Sequence, residues 1–290
     1  MKETSAWHVL AGFRCVDATT QSSVLEPLRV TTQQLELRRN RSGVFAVTDA
    51  PGLATYTQSL TPASWPAAAS TYEITIQDPS LRYLARRANI QVPQPLPPVV
   101  IPGATTTTAL PTTTAAGTTP TTTAAPATTA TPTTTAQGAP PALPPLTIPQ
   151  GIVLYPSPQA PVAPNWAVVR AYVVNNAAPP LALFGAVIQL AISGKQPLTG
   201  VTNENGEALL AAQGLGLTFN ADSTGAVTEA TTAATVTAWF DPATLTQPPD
   251  WIPNPDDILL NLSNTQLKSA SQAVQLEPKR TAFVNLTISM

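Results

Sequence analysis

Short stretches of alternating apolar and polar residues occur towards both ends of the chain, and they predict β-strands. In residues 71–77, Tyr72, Ile74 and Ile76 fall on one face of an extended backbone. Residues 35–40 alternate in the same way. No segment keeps apolar residues at positions i, i+3, i+4 and i+7 for three turns, so the pattern favours an all-β protein.

Turn-forming residues divide the first part of the chain at regular intervals. Arg41-Ser42-Gly43 separates residues 35–40 from residues 44–47, which is a hairpin pattern. Further strands are predicted at residues 7–17, 24–30, 71–77 and 88–92. Since about six or seven short strands with regular turns are typical of a small sandwich, residues 1–92 predict an N-terminal β-sandwich domain.

The last part, residues 151–290, predicts a second β-sandwich domain. Asn205-Gly206 lies between two β-compatible runs, and this dipeptide readily takes the positive φ angles of a tight hairpin. Residues 258–270 fit either a short helix or another strand. Strands are predicted at residues 152–155, 167–174, 185–192, 236–240 and 281–288.

Residues 93–150, between these two domains, are mostly Thr, Pro and Ala, and no charged residue occurs between Arg87 and Arg170. Such a composition buries too little apolar area to offset chain entropy. The predicted fold class is therefore all-β, with two small β-sandwich domains joined by a long Thr/Pro/Ala-rich extended linker. At about 3.1 Å per residue, roughly 55 residues would reach on the order of 150 Å when fully extended.

The overall composition narrows the classes of function. The 290 residues include 32 Pro, one Cys and one His, 10% are charged, and the net charge is −2. That charge favours neither nucleic acid nor acidic membranes as partners. No apolar run approaches the roughly 18 residues of a membrane span, and no signal peptide is visible, so we expect a soluble chain made in the cytoplasm.

Candidate chemistry is sparse in the sequence. Cys15 would need a base for nucleophilic catalysis, and His8 is the one histidine; the alternative is a small core residue. One proline-rich loop holds four aspartates, which either gather calcium or are ordinary solvated charges: Asp241, Asp250, Asp256 and Asp257. No serine-hydrolase, zinc or phosphate-loop pattern occurs. We therefore expect no enzyme, no catalytic residue, no cofactor and no metal.

Seven residues are candidates for contacts with a partner. The basic ones either form a patch for an acidic protein surface or are solvated strand and turn positions. The two tryptophans, in proline-rich loops, either stack on sugars or pin their loops to the sandwich. The candidates are Arg38, Arg39, Arg41, Arg86, Arg87, Trp65 and Trp251. Since alternating aromatics for base stacking are absent, we expect other protein subunits as partners and no nucleic acid.

Three segments carry a resemblance to a known family: Gly185-Ala186-Val187-Ile188, residues 199–207, and the closing strand at residues 283–288. They resemble the carboxypeptidase regulatory-like, or transthyretin-like, β-sandwich domain. Family members commonly place an aromatic residue soon after the turn glycine, where this chain has Ala208. Bacterial immunoglobulin-like modules share the turn pattern and are the competing resemblance. Either one implies a spacer, stabiliser or docking module without catalysis.

Two functions follow as hypotheses from this organisation. The leading one is a non-catalytic structural protein that docks two sandwiches on a large multiprotein complex through the linker. The layout resembles that of accessory structural proteins of phage-tail-like contractile injection systems, so a baseplate or accessory component is expected. The alternative is a cell-surface adhesin or carbohydrate-binding protein, in keeping with the Thr/Pro linker and the loop tryptophans.

Overall fold

Nearly half of the described residues lie in β-strands and few lie in helices, so the all-β prediction is confirmed. The structure is a computed structural model that describes residues 9–53, 69–93, 149–215, 219–221, 227–229, 231–248 and 250–290. The described parts of residues 1–95 and 148–290 belong to one compact unit. No helix among the described residues has the length and apolar character that crossing a membrane requires.

The first sandwich consists of a four-stranded and a three-stranded sheet. Its strands are β1 (Ala11–Asp17), β2 (Arg29–Thr31), β3 (Glu36–Arg39), β4 (Val44–Asp49), β5 (Ser70–Gln77), β6 (Arg86–Val92) and β7 (Gln150–Leu154). One sheet has the order β3-β4-β1-β7 and the other the order β2-β5-β6. The predicted hairpin at Gly43 is confirmed, since β3 and β4 pair antiparallel and Gly43 has a φ of 76°.

Strand β7 departs from the expected division of the chain. We expected residues 151–290 to form the second sandwich by themselves, but β7 pairs in parallel with β1, with Phe13 opposite Gln150 and Asp17 opposite Leu154. Its side chains Ile152 and Leu154 are buried in the first core. A parallel neighbour can lie far away in sequence, so the Thr/Pro/Ala-rich segment both leaves and re-enters the first sandwich.

The core of the first sandwich is formed by the inward faces of both sheets. Phe13 stacks on Phe45 with ring centroids 5.0 Å apart. Cys15 is buried beside them, which confirms its interpretation as a core residue. The predicted strand at residues 24–30 is displaced: β2 begins at Arg29, after Pro27, because proline has no N–H to donate to a ladder.

The second sandwich again joins a four-stranded and a three-stranded sheet, with orders β10-β9-β14-β15 and β11-β8-β16. Its strands are β8 (Ala167–Asn175), β9 (Val187–Ile192), β10 (Leu198–Val201), β11 (Glu207–Ala212), β14 (Thr232–Phe240), β15 (Lys268–Leu276) and β16 (Thr281–Ile288). A separate two-stranded sheet pairs β12 (Phe219–Ala221) with β13 (Val227–Glu229). Apolar side chains from both large sheets form one continuous core.

The turn predicted at Asn205-Gly206 exists, but the hairpin does not. Gly206 has a φ of 74°, and a Cβ atom there would lie 2.5 Å from the carbonyl oxygen of Val173, so the close approach requires glycine. Strand β10 before this turn pairs with β9, whereas β11 after it pairs with β8. The turn therefore carries the chain from one sheet to the other.

Two short helices lie in the loops between β14 and β15. A 3-10 helix spans Pro242–Thr246, and helix α1 spans Pro255–Leu259. Residues 258–270, which fitted either a helix or a strand, thus include the end of α1 and the start of β15. Helix α1 lies against the first sandwich as well as the second, because Ile258 belongs to an apolar cluster with Ala18 and Tyr155.

Candidate functional site

The structure brings together three of the seven candidate residues. Arg86 and Arg87 begin β6, at the edge of the first sandwich, and Trp251 lies in the loop that precedes α1. The contact region formed by Arg86, Arg87, Trp251 and residues 252–256 is called the β6 junction below. Trp65 lies outside the described residues.

Arg86 is the most enclosed charged side chain of the junction, with 2% of its surface exposed. Its guanidinium donates to the carbonyl oxygen of Val153 at 2.6 Å and to Oδ2 of Asp256 at 2.5 Å. The same group lies over the Tyr155 ring, 5.6 Å from the centroid. A buried charge is tolerated when it is paired and hydrogen-bonded, so this arginine joins the first sandwich to α1.

Arg87 contacts the same loop from the neighbouring position. Its Nε donates to the carbonyl oxygen of Ile252 at 2.6 Å, and its backbone N–H donates to the carbonyl oxygen of Pro253 at 2.9 Å. The guanidinium also lies over the Trp251 ring, 5.4 Å from the centroid. The edge of β6 is thereby covered by backbone and side chains of the 250–257 loop.

Trp251 is fixed by this arrangement. Phe184 approaches it in a T-shaped contact with ring centroids 6.1 Å apart, while Arg87 covers a face of the indole. Pro253, two residues later, packs so close to Gly185 that a Cβ atom there would lie 3.0 Å from it. Of the two interpretations of this tryptophan, these contacts favour a residue that pins its loop.

Burial and neighbouring charges shift the pKa values of two side chains at the junction. Burial raises the pKa of Tyr155 to about 12, with the Arg86 guanidinium opposing this rise and the Asp256 carboxylate adding to it. Burial also raises the pKa of Asp257, and the neighbouring Asp256 carboxylate adds to the effect. The Arg86 guanidinium is paired with the Asp256 carboxylate, so the junction holds a paired charge.

The arginines of the β3–β4 hairpin are arranged differently. Arg38 forms an exposed ion pair with Glu36 at 3.1 Å. Arg39 donates to the carbonyl oxygens of Leu25 and Glu26, at 2.9 Å and 2.7 Å, and lies over the Phe45 ring. Arg41, in the turn, is exposed. The five arginines therefore do not form one basic patch.

A cleft of about 450 Å³ lies beside the junction, between the two sandwiches. Its apolar wall includes Trp251, Phe184 and the exposed Leu81, and its polar rim includes Glu204 and Asp250. Leu81 has a φ of 58°, which is unusual for a residue other than glycine. This cleft places Trp251 beside hydrogen-bonding side chains, an arrangement that fits a small polar ligand.

The other chemical candidates are dispersed. Three of the four aspartates of the proline-rich loop have separate partners: Asp241 caps the 3-10 helix, Asp256 binds Arg86 and Asp257 accepts from Asn254. The fourth, Asp250, lines the cleft beside Trp251. Within the described ranges, no three His, Cys, Asp or Glu side chains cluster as metal ligands. Burial raises the pKa of the Cys15 thiol to about 12, and His8 lies outside the described residues.

Sequence reasoning missed the buried polar residues that shape this region. Tyr83 donates its hydroxyl to Oδ2 of Asp17 at 2.6 Å, and Asp78 accepts from the backbone N–H groups of Ser80, Arg82 and Tyr83. Asp78-Pro79-Ser80 was recognisable as a turn. Nothing in the sequence distinguishes an aspartate that caps a turn in solvent from one that anchors it inside the protein.

Comparisons with known proteins gave no match: no family model fits this chain, and no curated protein is significantly similar to it. The resemblance of residues 185–188, 199–207 and 283–288 to a transthyretin-like domain therefore stays a prediction.

Proposed function

We propose that this protein is a non-catalytic structural component of a large multiprotein assembly that forms in the cytoplasm. The observation that carries the proposal is the β6 junction, where Arg86 binds Asp256 and the Val153 carbonyl in a nearly solvent-free position. The junction connects the two sandwiches within one compact unit, which is called the scaffold below. Buried polar groups can specify one arrangement of packed elements, which suits a subunit that must hold a fixed geometry.

The topology changes the role we propose for the Thr/Pro/Ala-rich segment. It follows β6 and precedes β7, and both strands belong to the first sandwich. A linker between two independent docks would connect separate bodies, whereas this segment connects two points on one body. We therefore propose that the scaffold docks on one subunit while residues 93–149 contact a neighbouring subunit of the same assembly.

The architecture favours a phage-tail-like contractile injection system, with this chain as a baseplate or accessory component. Its support is the scaffold of two sandwiches with a long Thr/Pro/Ala-rich segment between β6 and β7. These are the modules and the segment of the layout noted above, although the segment does not lie between the modules. Two weak contacts made by one chain strengthen each other through effective concentration. The partners we propose are therefore other protein subunits.

The test is the isolation of the native protein with whatever it is bound to. A tagged full-length chain, purified under mild conditions, is expected to bring down a stoichiometric set of subunits that form a particle by electron microscopy. Recovery of the chain alone from all cell fractions would contradict an assembly role.

A deletion of residues 105–140 tests the segment itself. The scaffold should keep its thermal unfolding midpoint, because both flanking strands remain, while incorporation into the particle is lost. A Gly/Ser replacement of equal length is the matched control. Restored incorporation would show that length matters, and continued loss would show that the Thr/Pro/Ala chemistry matters. Unchanged incorporation of the deletion variant would refute a role for the segment.

A carbohydrate-binding adhesin is the second candidate, and the cleft beside Trp251 is the observation that favours it. Sugars bind by stacking on an indole and by hydrogen bonds to amides and carboxylates, and the cleft supplies Trp251, Asn203 and Glu204 together. A glycan array should then show binding that Trp251→Ala abolishes and Asn89→Ala, on the exposed side of β6, leaves intact. Equal binding by both variants would exclude this site.

A further inference from the structure

Two edge strands of the first sandwich, β3 and β6, carry features that hinder pairing with another chain. Strand β3 carries Arg38 and Arg39 and has a shift of register between Glu36 and Leu37. The start of strand β6 is covered by the 250–257 loop through the bond from the Arg87 N–H to Pro253. Charge, irregularity and coverage are the usual means by which an edge avoids unwanted association.

Strand β15 has little charge and no irregularity along its free edge, and β16, which lies close to it, is not hydrogen-bonded to it. Its nine residues pair with β14 in an unbroken register, and as the last strand of the β10-β9-β14-β15 sheet it has no other hydrogen-bonded neighbour among the described strands. It contains no proline, and Lys268 at its start is its one charged residue. Its outer face carries small neutral side chains such as Ser271, which bonds to Thr237.

The hydrophobic core is also incompletely covered along this strand. Ala270 and Val274 pack against the core but are only partly buried, and Gln272, which lies between them on the same face, is exposed. The corresponding residues of β16, the other long uncharged edge, are enclosed: Val284, Leu286 and Ile288 are all buried. Pairing at β15 would therefore cover core-side apolar surface that is already covered at β16, although Phe283 on the outer face of β16 is exposed.

We propose that a second copy of this chain occupies the β15 edge. The two β15 strands pair antiparallel around a two-fold axis at Gln272, which joins the two β10-β9-β14-β15 sheets into one continuous sheet. Such an interface is isologous, so each residue must tolerate the partner that symmetry places opposite it.

The sequence of β15 is self-complementary in this register, which is why the occupant is a second copy. Ala270 lies opposite Val274 on the core side, and Ser271 lies opposite Ala273 on the outer side. Lys268 lies opposite Leu276, so no like charges meet. Gln272 lies opposite its own symmetry mate, and because an amide both donates and accepts, the two side chains can bond to each other.

A charge-swap experiment on the full chain tests the proposal. In sedimentation velocity from about 1 to 500 µM, a range suited to a small interface, the protein should show a reversible monomer–dimer equilibrium. Gln272→Lys and Gln272→Glu each place like charges at the axis and should weaken the dimer at least about tenfold. Mixed in equal amounts, the two variants should form a heterodimer at least as stable as the wild-type dimer.

The controls separate association from folding. Gln272 is exposed, so both variants should keep the wild-type melting temperature. Gln266→Lys, at an exposed position just before the strand, should dimerise normally. A protein that stays monomeric over the whole range, variants that dimerise as the wild type does, or a mixture that fails to restore the dimer would each overturn the proposal.

Disulfide trapping tests the register. Residues directly opposite each other in an antiparallel pair have Cα atoms about 4.5–5.5 Å apart, which suits a disulfide. Gln272→Cys should therefore form a covalent dimer under mild oxidation. Ser269→Cys should not, because its symmetry mate would lie about 20 Å away. Equal trapping of both variants, or trapping of neither, would overturn the register. The native Cys15 is buried and does not interfere.

Discussion

The arginines of the β3–β4 hairpin and those of β6 differ in what surrounds them, although both groups lie on edge strands of the same sandwich. Arg38 meets an exposed glutamate, whereas Arg86 is enclosed and binds a carbonyl group and a carboxylate. The surroundings follow from what faces each edge. The β6 edge faces the 250–257 loop, so its arginines replace water with protein acceptors, while Arg38 and Arg41 remain in contact with solvent.

The exposed arginines of the hairpin and the enclosed Arg86 should therefore contribute differently to the stability of the fold. An exposed ion pair contributes little, about 0–1 kcal/mol, because solvent screens it and the side chains lose entropy. A buried guanidinium stabilises the folded state because it donates hydrogen bonds to buried oxygen atoms that would otherwise have no donor. The same residue type is therefore enclosed by protein acceptors at Arg86 and exposed to solvent at Arg38 and Arg41.

Arg86→Ala should have the largest effect on stability. The change leaves the Val153 carbonyl without its donor and opens a cavity beside Tyr155, so we expect the free energy of unfolding to fall by about 2–4 kcal/mol. Arg86→Lys, which keeps the charge but lacks the planar fork, should lose a smaller part of this. Urea denaturation measures both. A loss below about 0.5 kcal/mol would remove the distinction between the two arginine groups.

Asp78→Asn should come next, because Asp78 anchors the turn that leads from β5 into β6. Burial alone would raise the pKa of this carboxyl, but hydrogen bonds from Ser80, Tyr83 and Arg82 outweigh it and lower the pKa below the usual 3.8. The amide cannot accept all of these bonds, so we expect a loss of about 2 kcal/mol at pH 7.

The pH dependence of that loss gives its cause. A carboxyl whose pKa is lowered by folding contributes stability that is complete above its unfolded pKa and disappears as the pH falls through its folded value. Urea denaturation of wild type and Asp78→Asn should therefore give a constant difference above about pH 5, which narrows below about pH 4. A difference that does not change with pH would show that packing, and not the charge, is responsible.

Arg87→Ala should have a smaller effect than Arg86→Ala, of about 1–2 kcal/mol, because Arg87 is partly exposed and its pairing with Glu73 is screened. The loss comes mainly from the bond to the Ile252 carbonyl and from the contact with Trp251. Asn89→Ala on the same strand is the matched control and should change stability by less than about 0.5 kcal/mol. Similar values for the two variants would show that β6 does not hold the loop through Arg87.

Much of the fold could be predicted from the sequence, because alternation reports which residues of a strand face a core. Strands β5, β8 and β16 have strong alternating or apolar patterns and were predicted near their observed positions. Strand β15 was not predicted beyond its first residues, which lie in the range 258–270 that fitted either a helix or a strand, because its small and polar residues carry a weak pattern. The period of two locates a strand but does not say which sheet it joins.

That limit explains both errors of topology. Strand β7 was assigned to the second sandwich because it follows the Thr/Pro/Ala-rich segment, yet its pairing with β1 spans that whole segment. The Gly206 turn was assigned to a hairpin, although its flanking strands enter different sheets. The candidate site was limited in the same way: Arg86 and Arg38 look equivalent in sequence, and only the position of the 250–257 loop distinguishes them.

The smallest effect on stability should come from the double variant Arg38→Ala/Arg41→Ala, at less than about 0.5 kcal/mol. Arg39→Ala, between them, should cost about 1 kcal/mol, because it loses bonds to the carbonyl oxygens of Leu25 and Glu26. If Arg38 and Arg41 serve a partner, the double variant should unfold like the wild type in urea but show reduced, salt-dependent recovery in the co-purified particle. Normal recovery would mean that these two arginines contact only solvent and not a partner. A large loss of stability would mean that their side chains are packed against the protein, as those of Arg86 and Arg87 are.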